Sequence, residues 1–343
     1  MKFDHNVSLK QLMWLKIIFF QFCNWSSSVY VSVFAKLYCI SNYLFIFIYG
    51  SIKMSHFNQY SASIRLNYIT SIVELNVDTL FSLIHGEEYV RRFVKMLEKD
   101  FPGLQKFYKY YVTIYLSLIG LVGFLIFFTM DIRGGDNILK PCLFFNRSVA
   151  CYFCRISVIY VIEGYRNTVS ILRKQLNTQL NMNNITEAQK TVFIKEFTHS
   201  FIKLTEHFDS AMTIIRPLTI FRFVIDFCKI LNIIYYISFF DISSFVISWT
   251  FEVIIEMLSL CCPMLILESA ADDLDEIRKI IAKELLTYED YYLRSVIYES
   301  MEFVDGYTTG LNVWNQYPMN KDMVLAFIGL ITSYVIALLQ FSY

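Results

Sequence analysis

The sequence is short of charge. Asp, Glu, Lys and Arg make up 17% of its 343 residues, against about 25% in a typical soluble domain. It is also short of the residues that interrupt regular structure, with 11 Gly and 5 Pro. That scarcity argues against long flexible linkers and low-complexity segments, and no internal repeat is visible. Neither sign of charge is in excess, since 30 Lys and Arg balance 30 Asp and Glu. A nucleic-acid surface needs a basic excess, so no nucleic-acid partner is expected. Disorder needs low hydrophobicity with high net charge and is excluded as well. Catalytic signatures are missing too: there is no glycine-rich phosphate loop, no nucleophile elbow and no Cys/His spacing suited to zinc. The expectation is a protein that is not an enzyme and needs no metal or cofactor.

What the chain has is apolar surface. Hydrophobic residues reach 56%, aromatics 17%, and the mean hydropathy is +0.45. These are the values of an integral membrane protein. A helix needs about 20 mostly apolar residues to cross a bilayer. Two stretches without any charge qualify outright, 110–130 and 323–343. Five more carry isolated charges: roughly 29–50, 66–86, 148–172, 217–241 and 243–267. The expected fold is therefore an all-α membrane protein of seven transmembrane helices, with an amphipathic foot near 8–22 before the first. The N-terminal stretch lacks the short apolar run and small-residue cleavage site of a signal peptide, so the first span is expected to anchor uncleaved. Cys262–Pro263 marks a kink candidate in the sixth.

Lys and Arg orient the bundle. Twenty of the 30 fall on the side of the N-terminus and five on the other. The bias places the N-terminus in the cytoplasm and the C-terminus outside. G-protein-coupled receptors have the opposite orientation, and their Asp-Arg-Tyr and Asn-Pro-x-x-Tyr marks are absent. The longest outer loop, 131–147, holds the sequon Asn146-Arg147-Ser148, which makes Asn146 the glycosylation candidate. Cys142 and Cys151 could be bridged in that oxidising compartment.

The cytoplasmic segments carry apolar stripes at helical spacing. Phe193, Phe197, Phe201, Leu204 and Phe208 form one. Leu274, Ile277, Ile281 and Leu285 form a second, and Leu293, Val296, Ile297, Met301 and Val304 a third. Such stripes must pack against something. The expectation is that the fourth, fifth and sixth spans extend as helices into the cytoplasm and meet there. The whole chain then reads as one domain: 1–28 cytoplasmic N-terminus, 29–267 spans one to six, 268–320 a cytoplasmic helical anchor and 321–343 the last span.

Charges inside spans are expensive and so invite a functional reading. Those singled out are Lys36, Glu74, Asp78, Glu163, Arg166, Asp226, Lys229, Glu252 and Glu256. Glu74 and Asp78 share a helix face, as do Glu252 and Glu256. One reading pairs them across helices, with Lys36, Arg166 and Lys229 as the cations. The other has Glu252 line a ligand pocket together with Glu74, Asp78 or Glu163, and with Trp249 among the aromatics that stack on the ligand. The acidic run Glu268–Glu276 reads as a solvated face or as a cation-concentrating patch at a cytoplasmic exit.

The last span has a face of its own. Ala326, Gly329, Ser333, Ala337 and Gln340 occupy an arc of about 80° at 100° per residue, on a helix otherwise mainly Val, Leu, Ile and Phe. Spacing alone fits close helix packing or a pore wall equally well. The ending Ser333-Tyr334-Val335-Ile336-Ala337-Leu338-Leu339-Gln340-Phe341 resembles the Thr-Tyr-(five hydrophobics)-Gln-Phe signature of insect gustatory receptors. Ser333 stands for Thr and keeps the hydroxyl. Asn315 stands where that family usually has Gly. The resemblance implies a ligand-gated, nonselective cation channel in the plasma membrane, opened by a small-molecule tastant. It implies a homo- or hetero-tetramer in the lipid bilayer whose last helices line the pore. Gln340 and Phe341 would then sit at the extracellular gate and Ala337 would face the pore. Ser333 and Tyr334 would contact neighbouring helices. The alternatives are an insect odorant receptor subunit and a non-conducting membrane scaffold.

Overall fold

The computed structural model of the chain describes residues 13, 16–18, 21–24, 28–54, 62–101, 120, 139–182, 186–239, 246–307, 312–313, 317–318 and 321–341. Helix α1 runs Val29–Met54 and α2 Ala62–His85. Helix α3 spans Glu88–Asp100, α4 Leu139–Leu180, α5 Glu187–Phe239 and α6 Val246–Thr287. Helix α7 covers Tyr291–Gly306 and α8 Lys321–Phe341. Between the last two, β1 (Asn312–Val313) pairs antiparallel with β2 (Tyr317–Pro318), a ladder the sequence reading did not anticipate. The all-α class stands as expected. Six predicted spans coincide with helix. The third, 110–130, lies outside the described residues except for the helical Gly120, and so does Asn315.

Two expectations about the outer loop are corrected. The helix begins at Leu139, not near 148, so Asn146 lies inside α4 and not in the loop 131–147. Pro141 is compatible with this because the first turn of a helix has no use for its N–H. Cys142 and Cys151 are nine positions apart on one continuous helix. Their Cα atoms are then about 13 Å apart at 1.5 Å per residue, beyond the ~7 Å limit of a disulfide. Ser157, in the middle of the predicted span, is hydrogen-bonded by Lys16 of the N-terminal segment.

Continuous helices tie the two halves of the molecule together. α4, α5 and α6 have 42, 53 and 42 residues, each running from the predicted membrane region into the predicted cytoplasmic one. Their far ends meet along the stripes seen in the sequence. Phe197, Phe201, Leu204 and Phe208 are buried, as are Leu274, Ile277 and Ile281 of α6 and Leu293, Val296, Ile297 and Val304 of α7. Phe201 meets Phe303 and Tyr307 edge-on, with centroids 6.1 and 5.9 Å apart. Asp290 caps α7 through the Leu293 amide (2.7 Å). At its other end Arg278 of α6 donates to the Val304 and Tyr307 carbonyls at 3.2 and 2.9 Å, satisfying groups the helix leaves open. The Tyr307 hydroxyl donates to Asp209 (3.2 Å). Burial raises the Asp209 carboxyl and the Tyr307 phenol above their ordinary values. The acidic run after the sixth span is largely paired: Arg173 meets Asp273 at 2.8 Å, Arg278 meets Asp275 and Lys279 meets Glu276.

The opposite half shows apolar side chains on its outside. Val29, Phe34, Leu37 and Phe45 of α1 are exposed, as are Leu66, Ile69 and Leu80 of α2 and Leu258 and Leu265 of α6. A soluble monomer rarely exposes more than a few hundred Å² of contiguous apolar surface, so this face suits lipid. Among the described residues only Val253–Thr287 is long and apolar enough to cross a membrane by composition alone, with Val29–Phe45 and Asp322–Leu338 as shorter apolar stretches. The charges that interrupt α4 and α5 turn to the interior, described below.

A tight turn joins α2 to α3. Gly86 and Glu87 both adopt left-handed backbone, at φ 56° and 57°. The Gly86 carbonyl accepts from the Asn24 amide (2.8 Å), and buried Glu87 pairs with buried Lys16 (2.8 Å). A Cβ at Gly86 would stand 3.1 Å from the Asn24 Cβ. Gly86→Ala should therefore lose about 1–2 kcal/mol from the left-handed backbone alone. It should lower the unfolding temperature of the detergent-purified protein, whereas Gly306→Ala, which has open space, should not.

Candidate functional site: a buried ion network and the last helix

Four helices converge on Arg155. This α4 side chain donates through Nη2 to Glu74 of α2 (2.5 Å) and Asp226 of α5 (2.6 Å), and through Nη1 to Glu256 of α6. Lys229, three positions beyond Asp226, pairs with Glu74 and lies 3.5 Å from Glu256. Arg222, four positions before Asp226, grips Asp78 with Nε (3.1 Å) and Nη2 (2.8 Å). All seven side chains are at most 6% exposed. Charges buried this deeply persist only when paired, so the network fixes the mutual register of α2, α4, α5 and α6.

The pairing reading is thus realised, with different cations. Lys229 takes part as expected. Lys36 instead lies over the Phe22 ring at 5.7 Å, and Arg166 donates to Ser269 (3.1 Å). Arg155 and Arg222 were not singled out from the sequence. A usable signal existed for the second, because Arg222, Asp226 and Lys229 recur at i, i+4 and i+7, one face of α5. Nothing in its local pattern marks Arg155 as the hub. Of the pocket candidates, Glu74 and Asp78 are held in these ion pairs. Glu163 is buried on α4 with Oε2 lacking a hydrogen-bond partner. The side chains of Glu252 and Trp249 lie outside the described residues, as do those of Asn146 and Phe341.

Beside the network is a cavity of about 30 Å³, bordered by Arg155, Arg222, Asp226, Ser259, Phe223 and Pro263 among others. Pro263 lacks the N–H that would bond the Ser259 carbonyl, so the kink candidate faces the most polar part of the membrane interior. Glu74, Asp226 and Glu256 lie close enough together to hold a cation. Arg155 and Lys229 reach in among them.

The last helix docks on the other side of α5. Phe327 of α8 packs against Phe223 (5.3 Å between centroids) and Phe227 (5.4 Å), and is buried with Ile230 and Leu260. Val324 is buried too, Ile331 packs alongside, and Tyr334 lies near Tyr235. The small and polar stripe points elsewhere: Ala326, Gly329, Ser333 and Gln340 are exposed and Ala337 is partly so. At 100° per residue its centre is roughly 140° from the docking face. Ser333 Oγ donates to the Gly329 carbonyl (2.9 Å) and so keeps its bond within α8.

No protein-family model and no curated protein sequence matches the chain. Its fold, however, matches that of the insect olfactory receptor OR5 from Machilis hrabei in complex with eugenol, with a TM-score of 0.69. A second structure of the same receptor gives 0.66. Sequence identity is 11%, and the match covers 98% of this chain and 100% of the other. At that identity the fold is what the two share.

If the network sets helix register, breaking one pair should cost far more than removing both partners. Arg222→Leu should destabilise by about 3–5 kcal/mol, and Arg222→Leu/Asp78→Leu should recover most of it. Thermal unfolding of the purified variants checks this, and a double variant no better than the single one contradicts it.

Proposed function

We propose that the protein is a chemosensory receptor of the gustatory type, a ligand-gated nonselective cation channel in the plasma membrane. One observation carries the reading. The stripe of Ala326, Gly329, Ser333, Ala337 and Gln340 is turned away from the protein's own bundle, while α8 is held to that bundle by its opposite face. In lipid such a stripe would leave Gln340 facing hydrocarbon. Four copies around a central axis would instead give it water, with Gln340 and Phe341 at the outer end and residues 268–320 as the anchor. The olfactory-receptor fold supports the same architecture.

The ligand pocket of this proposal lies on the outer side of the ion network. Spacing puts Trp249 and Glu252 on the same face of α6 as Glu256, which reaches into the bundle. Glu252 is the carboxylate best suited to a polyol or cationic tastant, because Glu74 and Asp78 are already paired. An odorant-receptor subunit is the second reading, favoured by the neighbour's being an olfactory receptor. The Gln340–Phe341 ending favours the gustatory one.

Expression in cultured cells with calcium imaging against sugars, bitter compounds, amino acids and eugenol tests the proposal. The chain should conduct when expressed alone, and Gln340→Ala should abolish or alter the current at unchanged surface level. A wild-type current from Gln340→Ala excludes α8 as the pore wall. Glu252→Gln should shift the ligand dose curve, and an unmoved curve removes Glu252 from the pocket.

A further inference from the structure

The ion network does not balance. Three cations, Arg155, Arg222 and Lys229, face four carboxylates, Glu74, Asp78, Asp226 and Glu256. Among the described residues no further cation pairs with these carboxylates. Span 110–130 and the last helix from Met323 onward carry no charged residue. Lys36 and Arg166 are engaged elsewhere. Glu163 on α4 and Glu252 on α6 would only add to the negative side. Buried charge left without compensation is neutralised by taking up a proton.

We infer that the network binds one proton, held on Asp226. Each cation already has a carboxylate of its own: Arg222 has Asp78, Lys229 has Glu74, and the Arg155 Nη1 has Glu256. Asp226 touches only the Arg155 Nη2 that Glu74 also uses. It is the carboxylate with the weakest claim on a positive charge. It is also the one that borders the cavity, which is large enough for a water molecule and offers it several polar groups. A proton from bulk solvent can therefore be relayed to Asp226 by a water there, which takes up one proton as it passes another on, so that carboxylate becomes carboxylic acid and the water is unchanged. A second observation shows the same shortage of donors. Asp78 Oδ2 is buried with no hydrogen-bond partner. The inference rests on the bundle alone and stands whether or not the protein conducts.

Infrared spectroscopy of the full-length protein in lipid nanodiscs tests it. A Glu163→Gln/Glu284→Gln parent removes two other buried carboxyls that have an oxygen without a hydrogen-bond partner. At neutral pH the parent should show a carboxylic-acid C=O band that shifts in deuterated water. Adding Asp226→Asn should abolish the band, and Asp226→Glu should move it. A parent without the band overturns the inference, and so does a band that survives Asp226→Asn. If Asp226→Asn fails to fold, Asp226→Glu decides, because an unmoved band then overturns the assignment.

Discussion

Everything in the membrane half of the protein depends on the requirement that buried charge be matched. Arg155 meets three carboxylates from three other helices, and Lys229 and Arg222 complete the set. Apolar contacts between membrane helices are weakly specific, since lipid tails satisfy a Leu as well as a neighbouring helix does. An arginine between three acids has far fewer acceptable arrangements. The network thus chooses the packing that Val, Ile and Phe then fill. The charges of α4 and α5 face one another inside the bundle, where the apolar residues of α4 from Tyr152 to Val169 are buried as well.

α5 stands between this network and the last helix. Arg222, Asp226 and Lys229 occupy one of its faces, while Phe223, Phe227 and Ile230 hold Phe327 on another. A shift of α5 against α2 and α4 is felt at α8 through an aromatic contact only a residue away from the charges. Phe223 belongs to both, since it borders the cavity as well.

Much of this was legible in the sequence. The cytoplasmic stripes fell where 3.6-residue spacing put them, because one-sided burial leaves a periodic trace. So did the small and polar face of the last helix. The start of α4 was misread because Leu139–Arg147 mixes Lys, Pro, Asn and Arg into an apolar stretch, and a hydropathy window reads such a mixture as loop. The partners of the intramembrane charges were only half legible. Periodicity shows which residues share a face of one helix, and it is silent on which face meets which across a bundle. Arg155 lies 81, 71 and 101 positions from its three partners, distances at which one sequence carries no pairing signal.

The long helices restrict how such a molecule can move. α5 passes unbroken from Glu187 to Phe239, a rod of about 80 Å at 1.5 Å per residue, with α4 and α6 alongside. Their far ends are clasped around Phe201. Rods fastened at one end and bound by ion pairs further along cannot bend separately, so α4, α5 and α6 tilt or slide as a group. α8 lies outside that clasp: it follows the short β1–β2 hairpin and packs on the bundle through Val324, Phe327 and Ile331. It can therefore shift against the bundle without bending any of the three rods.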